Sequence, residues 1–166
     1  DIAMSAARPL TMNNYMSAAL AAMILDKALG NALKETGMCA DVSYNFVITP
    51  QERLSMSVSV EPLARDAYAS HIDPSGSIEA LAVIRSMMFD LTHTAIPPNL
   101  LAPCKSAPKS HLARRMTSPE YWLDAIAKRY LDGKDFTTSY ASKVDAVTPE
   151  MIREVFSVLN GGSKIE

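Results

Sequence analysis

The sequence predicts an α+β fold in which helices pack on one face of an antiparallel sheet. Two short stretches alternate apolar and polar residues with a period of two, whereas the longer stretches around them repeat apolar residues with a helical period. The strand and helix patterns are segregated along the chain instead of alternating strictly, which favours an antiparallel sheet. At 166 residues the chain can bury a sizeable core, so we expect a single domain over residues 1–166.

The predicted sheet is built around a β-hairpin. A mostly apolar helix is expected over residues 11–35. Residues 38–48 and 54–60 each place apolar side chains at every second position, and the polar turn between them predicts an antiparallel hairpin. Because two strands alone are only marginally stable, we expect short strands near residues 2–4 and 164–165 to complete the sheet.

Two helices are predicted in the middle of the chain. Ser77 is expected to cap a helix that carries apolar residues along one side and ends before the proline pair at 97–98. A kinked helix is predicted over residues 99–116, where the apolar spacing is helical although Pro103 and Pro108 oppose it.

Two further helices begin with the same signal, a hydroxyl residue followed by proline. Ser118 and Thr148 are the expected capping residues, and proline suits the first helical position. Gly133 and Gly161 are the expected stop signals of these two helices. The second half of the chain is therefore predicted to be mostly helical.

Composition excludes several functional classes. Hydrophobic residues make up 48% of the chain, charged residues 20%, and the net charge of −2 offers no general attraction to nucleic acid or to a membrane surface. The longest apolar run, residues 18–25, is far shorter than the roughly 18 residues that cross a bilayer, so no membrane insertion is expected. Cys39 and Cys104 cannot form a disulfide framework and are expected to be buried or incidental thiols.

The histidines do not have the spacing of a metal site. His71, His93 and His111 are too far apart in sequence to lie on consecutive turns of one helix, so no zinc site is predicted within this chain. His71 also lies close to an aspartate and a serine in residues 71–75. Sequence neighbours rarely form a catalytic triad, and a loop is the favoured interpretation.

One segment concentrates positive charge and allows two interpretations. Its basic residues could contact an anion or a phosphate, or they could form a solvated helix face, and the scarcity of interleaved aromatic residues favours the second. The residues are Lys105, Lys109, His111, Arg114 and Arg115.

Two regions of the sequence resemble the pitrilysin/insulinase family of zinc metallopeptidases. Residues 28–44 have the sequence ALGNALKETGMCADVSY, in which a predicted helix ends and a predicted strand begins. This segment resembles the one in the family where a helix that ends in Leu-Arg-Glu is followed by a strand that begins near Tyr-Ser-Val. Residues 121–123, the turn at 132–135 and residues 143–152 resemble the family's "W-L … G-x-D … I-x-x-V-T-x-x-D-I" run. Together these segments extend the resemblance over nearly the whole chain.

The resemblance implies a domain that takes part in proteolysis without performing the chemistry. Family members pair similar α+β domains around an unfolded peptide, and the zinc site is an inverted H-x-x-E-H on a helix of the first such domain. This chain has no such motif and therefore resembles a C-terminal domain that closes the chamber, with zinc expected in another domain. We also expect the chain to be part of a longer protein.

The resemblance also implies three substrate-binding residues. In active family members an arginine at the end of the first helix and a tyrosine seven positions later contact the substrate, and the matching positions here are Lys34 and Asp41. Lysine keeps the positive charge without the bidentate fork of arginine, and aspartate cannot act as a tyrosine hydroxyl does, so Tyr44 is the alternative for the second position. Solvation alone also accounts for the two charged residues.

The leading hypothesis is therefore a non-catalytic, substrate-enclosing domain of a zinc-dependent endopeptidase, itself inactive as an isolated fragment. Its expected partners are a peptide or unfolded polypeptide and homologous domains of the same chain, with no nucleic acid. The first alternative is a domain of a catalytically inactive relative that acts as a structural or partner-binding scaffold. A small-molecule enzyme is the third class, although no convergent set of titratable residues favours it. The family suggests a periplasmic or envelope location, with the cytoplasm as the alternative.

Overall fold

Ten helices and strands make up the part of the chain that the computed structural model describes, which is residues 1–34, 37–48, 50–62, 74–133, 135 and 137–165. In chain order they are β1 (Ile2–Ala7), α1 (Met12–Leu33), β2 (Met38–Val47), β3 (Arg53–Pro62), α2 (Pro74–His93), α3 (Pro98–Arg115), α4 (Pro119–Asp132), α5 (Tyr140–Ala146), α6 (Pro149–Gly161) and β4 (Ser163–Ile165). The predicted α+β class is confirmed.

The four described strands form one antiparallel sheet in the order β2-β3-β1-β4. The predicted hairpin is present, with Tyr44 opposite Met56 and Phe46 opposite Leu54. The terminal strands complete the sheet as predicted, since β1 pairs with β3 on one side and with β4 on the other. In this sheet β2 is an edge strand.

Alternation along the strands gives the sheet one apolar face and one polar face. On the polar face the Ser43 and Ser57 hydroxyl oxygens lie 2.7 Å apart, and the Ser55 hydroxyl donates to the Ser5 hydroxyl oxygen at 3.3 Å. The helices pack on the other face, as predicted. The buried side chains that the two central strands contribute to that face are Ile2, Met4, Ala6, Leu54, Met56 and Val58.

Helix α1 is the central core helix. It begins where the Thr11 hydroxyl oxygen accepts a hydrogen bond from the Asn14 N–H at 3.2 Å, and it packs against β2, α2, α3 and α6. By length and composition α1 could also cross a membrane, but most of that apolar stretch is buried inside the described structure. A helix that is apolar almost all round is typical of such a core position.

Helix α6 closes the core from the C-terminal side. The Thr148 hydroxyl oxygen accepts a hydrogen bond from the Met151 N–H at 3.3 Å, which confirms the predicted cap. The helix ends at Gly161 as expected. Its core face comprises Ile152, Val155, Phe156 and Leu159, all fully buried.

The structure corrects one prediction for the helical half, agrees with another and adds a helix. Helix α2 begins at Pro74, so the prediction that Ser77 caps it is wrong, because proline at the first position already suits a helix start. The helix predicted over residues 99–116 is present as α3, which continues through both Pro103 and Pro108. Helix α5 was not predicted, since only Val144 of its seven residues is buried and no apolar periodicity marks it. Of the loop predicted over residues 71–75, residues 71–73 lie outside the described residues, and residues 74–75 belong to the first turn of α2 instead.

Candidate binding site

A cavity of about 290 Å³ lies where the end of β2 meets the beginning of α1, the second half of α3, the first half of α4 and the turn before α5. Its lining combines aromatic and aliphatic side chains with hydroxyl and charged groups. The lining residues are Leu10, Tyr15, Asn45, Phe46, Ile48, Pro108, His111, Leu112, Arg115, Tyr121, Asp124, Ala125, Thr137 and Tyr140. This mixture is typical of a ligand pocket.

The aromatic wall of the cavity joins α1 to β2. Tyr15 lies in the first turn of α1, where its N–H donates to the Thr11 carbonyl oxygen at 2.8 Å. Because β2 alternates, Tyr44 and Phe46 both face α1. The Tyr15 ring packs edge-to-face on Tyr44, with centroids 5.8 Å apart, and lies 6.2 Å from Phe46.

The opposite wall depends on the short connection between α3 and α4. There the Trp122 indole N–H donates to the Met116 carbonyl oxygen at 2.9 Å, which holds the start of α4 against the end of α3. This brings the Arg115 guanidinium over the Tyr121 ring, with Cζ 5.2 Å from the ring centroid. The contact is a cation–π interaction, and the exposed Arg115 side chain also lines the cavity.

A carboxylate-centred turn positions the third side of the cavity. The Thr137 and Thr138 N–H groups both donate to Asp135 Oδ1 at 2.9 Å, and their hydroxyls donate to the same carboxylate at 2.8 and 2.6 Å. These hydrogen bonds hold the pKa of Asp135 well below its usual range. Arg129 adds an ion pair at 3.5 Å. The turn so formed carries Thr137 and Tyr140 to the cavity.

The hydroxyls of Tyr44, Tyr121 and Tyr140 remain protonated at neutral pH. Burial raises the pKa of Tyr140 and of Tyr121. Burial and then the neighbouring Tyr15 raise the pKa of Tyr44 far above its usual range. These phenols are therefore hydrogen-bond donors, and Arg115 adds a permanent positive charge.

The three residues predicted from the family resemblance lie in different surroundings. Lys34 is exposed at the C-terminal end of α1, and Asp41 is exposed on the polar side of β2 opposite Ser59. Tyr44 is half-buried against Tyr15 on the other side of the same strand. A ligand on one face of β2 therefore cannot contact both Asp41 and Tyr44 side chains directly.

The basic segment of α3 divides into two pairs of residues and the exposed Arg114. Lys105 donates to the Asp145 carbonyl oxygen at 2.9 Å, and Lys109 forms an ion pair with the Asp145 carboxylate, so these lysines connect α3 to α5. His111 and Arg115 instead line the cavity. The interpretation of this segment as only a solvated helix face is therefore incomplete.

Sequence reasoning missed the three tyrosines that line the cavity, Tyr15, Tyr121 and Tyr140. Each lies in the first turn of its helix, at the ends of α1, α4 and α5 that meet at this site. A search for tyrosines just after helix starts could have found the first two. It could not have shown that they converge, because their helices are far apart in sequence.

The residues that the structure describes do not fit a zinc site. In the described part of the structure, no three His, Cys, Asp or Glu side chains lie together in an arrangement that could hold a metal ion. His93 is hydrogen-bonded through Nδ1 to the Phe89 carbonyl oxygen at 2.9 Å, and its ring stacks on that of Phe89. The chemistry that the cavity supports is recognition of a ligand by donors and apolar surfaces.

No protein-family model matches the chain, and no curated protein sequence matches it significantly. Solved structures do share its fold. A mutant of the ferredoxin protease FusC in complex with Arabidopsis ferredoxin is 14% identical, with a TM-score of 0.71 over 98% of this chain and 18% of that chain. The periplasmic protease PqqL from Escherichia coli is 14% identical, with a TM-score of 0.67 over 97% of this chain and 17% of that chain.

A third similar structure is close to this chain in length. It is the inactive peptidase domain of a predicted zinc protease from Bordetella parapertussis, 14% identical, with a TM-score of 0.66 over 99% of this chain and 87% of that chain. The chain thus spans less than a fifth of FusC and of PqqL but most of this domain. At 14% identity the likeness shows the fold alone, and that fold is the one seen in zinc-protease domains.

Proposed function

We propose that this chain is a non-catalytic, substrate-enclosing domain of a zinc-dependent endopeptidase of the pitrilysin/insulinase type. The observation that carries the proposal is the fold match to zinc-protease domains, including a domain described as an inactive peptidase domain. The sequence adds a second support, because it contains no pair of histidines at the H-x-x-E-H spacing. Zinc and the bond-breaking chemistry would reside in another domain of the complete protein.

In this proposal the polar face of the sheet is the wall that meets the peptide. That face is lined by hydroxyl groups and carries Arg53, whose Nε donates to the Ser5 hydroxyl oxygen at 3.1 Å. Such a surface offers donors and acceptors to any peptide backbone without selecting one side chain. Asp41 lies on this face and Lys34 at the end of α1, so both are proposed substrate contacts. Tyr44 would act on the other side of β2.

The proposed partners are a peptide or unfolded polypeptide and the homologous domains of the same protein. FusC supports the first, because its structure is of a protease in complex with a polypeptide, ferredoxin. The low share of FusC and PqqL that the chain spans supports the second.

The test is peptide hydrolysis by the complete protein with and without a metal chelator, using this 166-residue chain as the parallel control. We expect chelator-sensitive cleavage by the complete protein and none by the chain. Within the complete protein, Lys34→Ala should lower kcat/KM. Lys143→Ala, which changes an exposed lysine on a different helix, α5, should leave kcat/KM unchanged. Cleavage by the isolated chain, or stoichiometric zinc bound to it, would overturn the proposal.

A second candidate function follows from the likeness to an inactive peptidase domain. The chain would then belong to a catalytically inactive relative and act as a structural or partner-binding scaffold. A complete protein that binds no zinc and cleaves no peptide, yet retains a stable complex with a polypeptide, would favour this function over the first.

A further inference from the structure

The proposed function assigns no role to the cavity between β2, α1, α3 and α4. This cavity has an apolar side formed by Leu10, Phe46 and Leu112 and a donor side formed by Arg115 and Tyr140. We propose that this cavity binds a carboxylate attached to an apolar or aromatic group, either a free small acid or the C-terminal residue of a peptide. The proposal needs no protease partner and therefore stands or falls independently of the proposed function.

The size of the cavity limits the apolar part of the ligand. At about 290 Å³ it lies at the lower end of small-molecule pockets, which suits one aromatic or branched side chain better than an extended peptide. The Tyr15 and Phe46 rings, with centroids 6.2 Å apart, form a tilted wall against which such a group can pack. A group of this size would displace water from aromatic and aliphatic surface, which favours binding.

The charge of the cavity determines the polar part of the ligand. In the described part of the chain, the contact found for the Arg115 guanidinium is with the face of Tyr121, and no carboxylate pairs with it. The N–H groups of a guanidinium form a planar fork that matches the two oxygens of a carboxylate. The Tyr140 hydroxyl, which remains protonated, can donate a further hydrogen bond.

A single negative charge fits the cavity better than two. Asp124 is the one acidic residue of the lining, and it already interacts with another group of the protein. Arg115 can neutralise one negative charge, and the Asp124 carboxylate repels every negative charge of a ligand, so a carboxylate meets less repulsion than a doubly charged phosphate. The structure therefore favours an apolar monocarboxylate.

The test is a titration of the 166-residue chain with N-acetyl-phenylalanine, with its amide and with N-acetyl-glycine, followed by calorimetry and by tryptophan fluorescence. Trp122 is the only tryptophan, and the centroid of its ring lies 5.4 Å from that of Tyr121, which lines the cavity. We expect saturable binding of the acid and much weaker binding of both other compounds. Arg115→Gln should weaken acid binding by about tenfold to a hundredfold, the range for a lost hydrogen bond to a charged group. Arg114→Gln, at an exposed neighbour that does not line the cavity, is the matched control.

Further measurements distinguish a free small acid from a peptide C-terminus as the source of the bound carboxylate. A peptide ending in a free phenylalanine that binds as well as the small acid, while its C-terminal amide does not, identifies a peptide end as ligand. Binding of the small acid but not the peptide identifies a free metabolite-sized acid. Arg115→Lys keeps the positive charge and should retain part of the affinity. This variant still tests the proposal if Arg115→Gln perturbs folding.

The proposal is overturned if the acid and its amide bind equally or neither binds. It is also overturned if phenyl phosphate binds more tightly than the carboxylate, or if Arg114→Gln weakens binding as much as Arg115→Gln.

Discussion

Gly162 lies where α6 turns into β4, and the space around it predicts a large effect of a single methyl group. A Cβ atom at this position would lie 2.3 Å from the Ser5 carbonyl oxygen and 3.0 Å from the Ala6 Cβ. Normal carbon–oxygen contacts are about 3.3 Å or longer, so β1 and the turn must move apart. Because the neighbouring atom belongs to the backbone of a central strand, this movement also disturbs the pairing of Ser5 with Ser163.

We expect Gly162→Ala to lower the free energy of unfolding by about 2–3 kcal/mol, the upper part of the range for overpacking a folded structure. For a domain of this size that corresponds to a decrease of roughly 5–10 °C in Tm. Gly161→Ala is the matched control, since a Cβ there meets nothing within 4 Å. Urea unfolding followed by circular dichroism measures both variants. A Gly162→Ala protein as stable as the wild type, or equal losses at the two glycines, would refute the steric argument.

Three further predictions follow from local contacts. Thr148→Ala removes the hydroxyl oxygen that accepts from the Met151 N–H and should cost about 1 kcal/mol in urea unfolding, whereas Thr148→Ser should retain most of the stability. Asp135 has a depressed pKa in the folded state, so it stabilises the fold above the ordinary aspartate pKa of about 3.9 and loses this contribution as pH falls. Asp135→Asn should therefore destabilise the chain at pH 7 and much less near pH 2. Thiol labelling of the folded chain should modify exposed Cys39 before Cys104, which is buried and whose pKa burial raises.

Each of these predictions has an outcome that would contradict it. Equal stability of the Thr148→Ala and Thr148→Ser proteins would show that the cap contributes nothing. A stability difference for Asp135→Asn that does not change between pH 7 and pH 2 would show that the charge of Asp135 is irrelevant to it. Equal labelling rates for the two thiols would show that Cys104 is accessible.

The elements that could be predicted are those encoded by local periodicity and by capping residues. The alternation over residues 38–48 predicted both the strand and the face that it buries, and the structure pairs Tyr44 with Met56 and Phe46 with Leu54 accordingly. The hydroxyl–proline signal at Thr148 predicted the start of α6. Helix α5 could not be predicted this way. The helix predicted over residues 99–116 is present as α3 although Pro103 and Pro108 oppose it, because packing against other helices overrides weak local preference.

The candidate site was only partly accessible to sequence reasoning. His111 and Arg115 were recognised as members of a basic segment, but nothing in that segment separates them from Lys105 and Lys109, which bind Asp145 instead. The substrate contacts suggested by the family resemblance remain predictions.

The sequence by itself determined the α+β class, the hairpin, the terminal strands and most helix ends, because these depend on side-chain spacing within about ten residues. Tertiary structure alone decided which distant groups meet. The buried Arg8 guanidinium is one case, since it pairs at 3.1 Å with Glu154, 146 positions away in sequence. The cavity is another, because it exists only where Tyr15, Arg115 and Tyr140 are brought together by packing of α3 and α5 against α1. Periodicity specifies which face of an element is buried, whereas the partner of that face depends on how all the elements pack together.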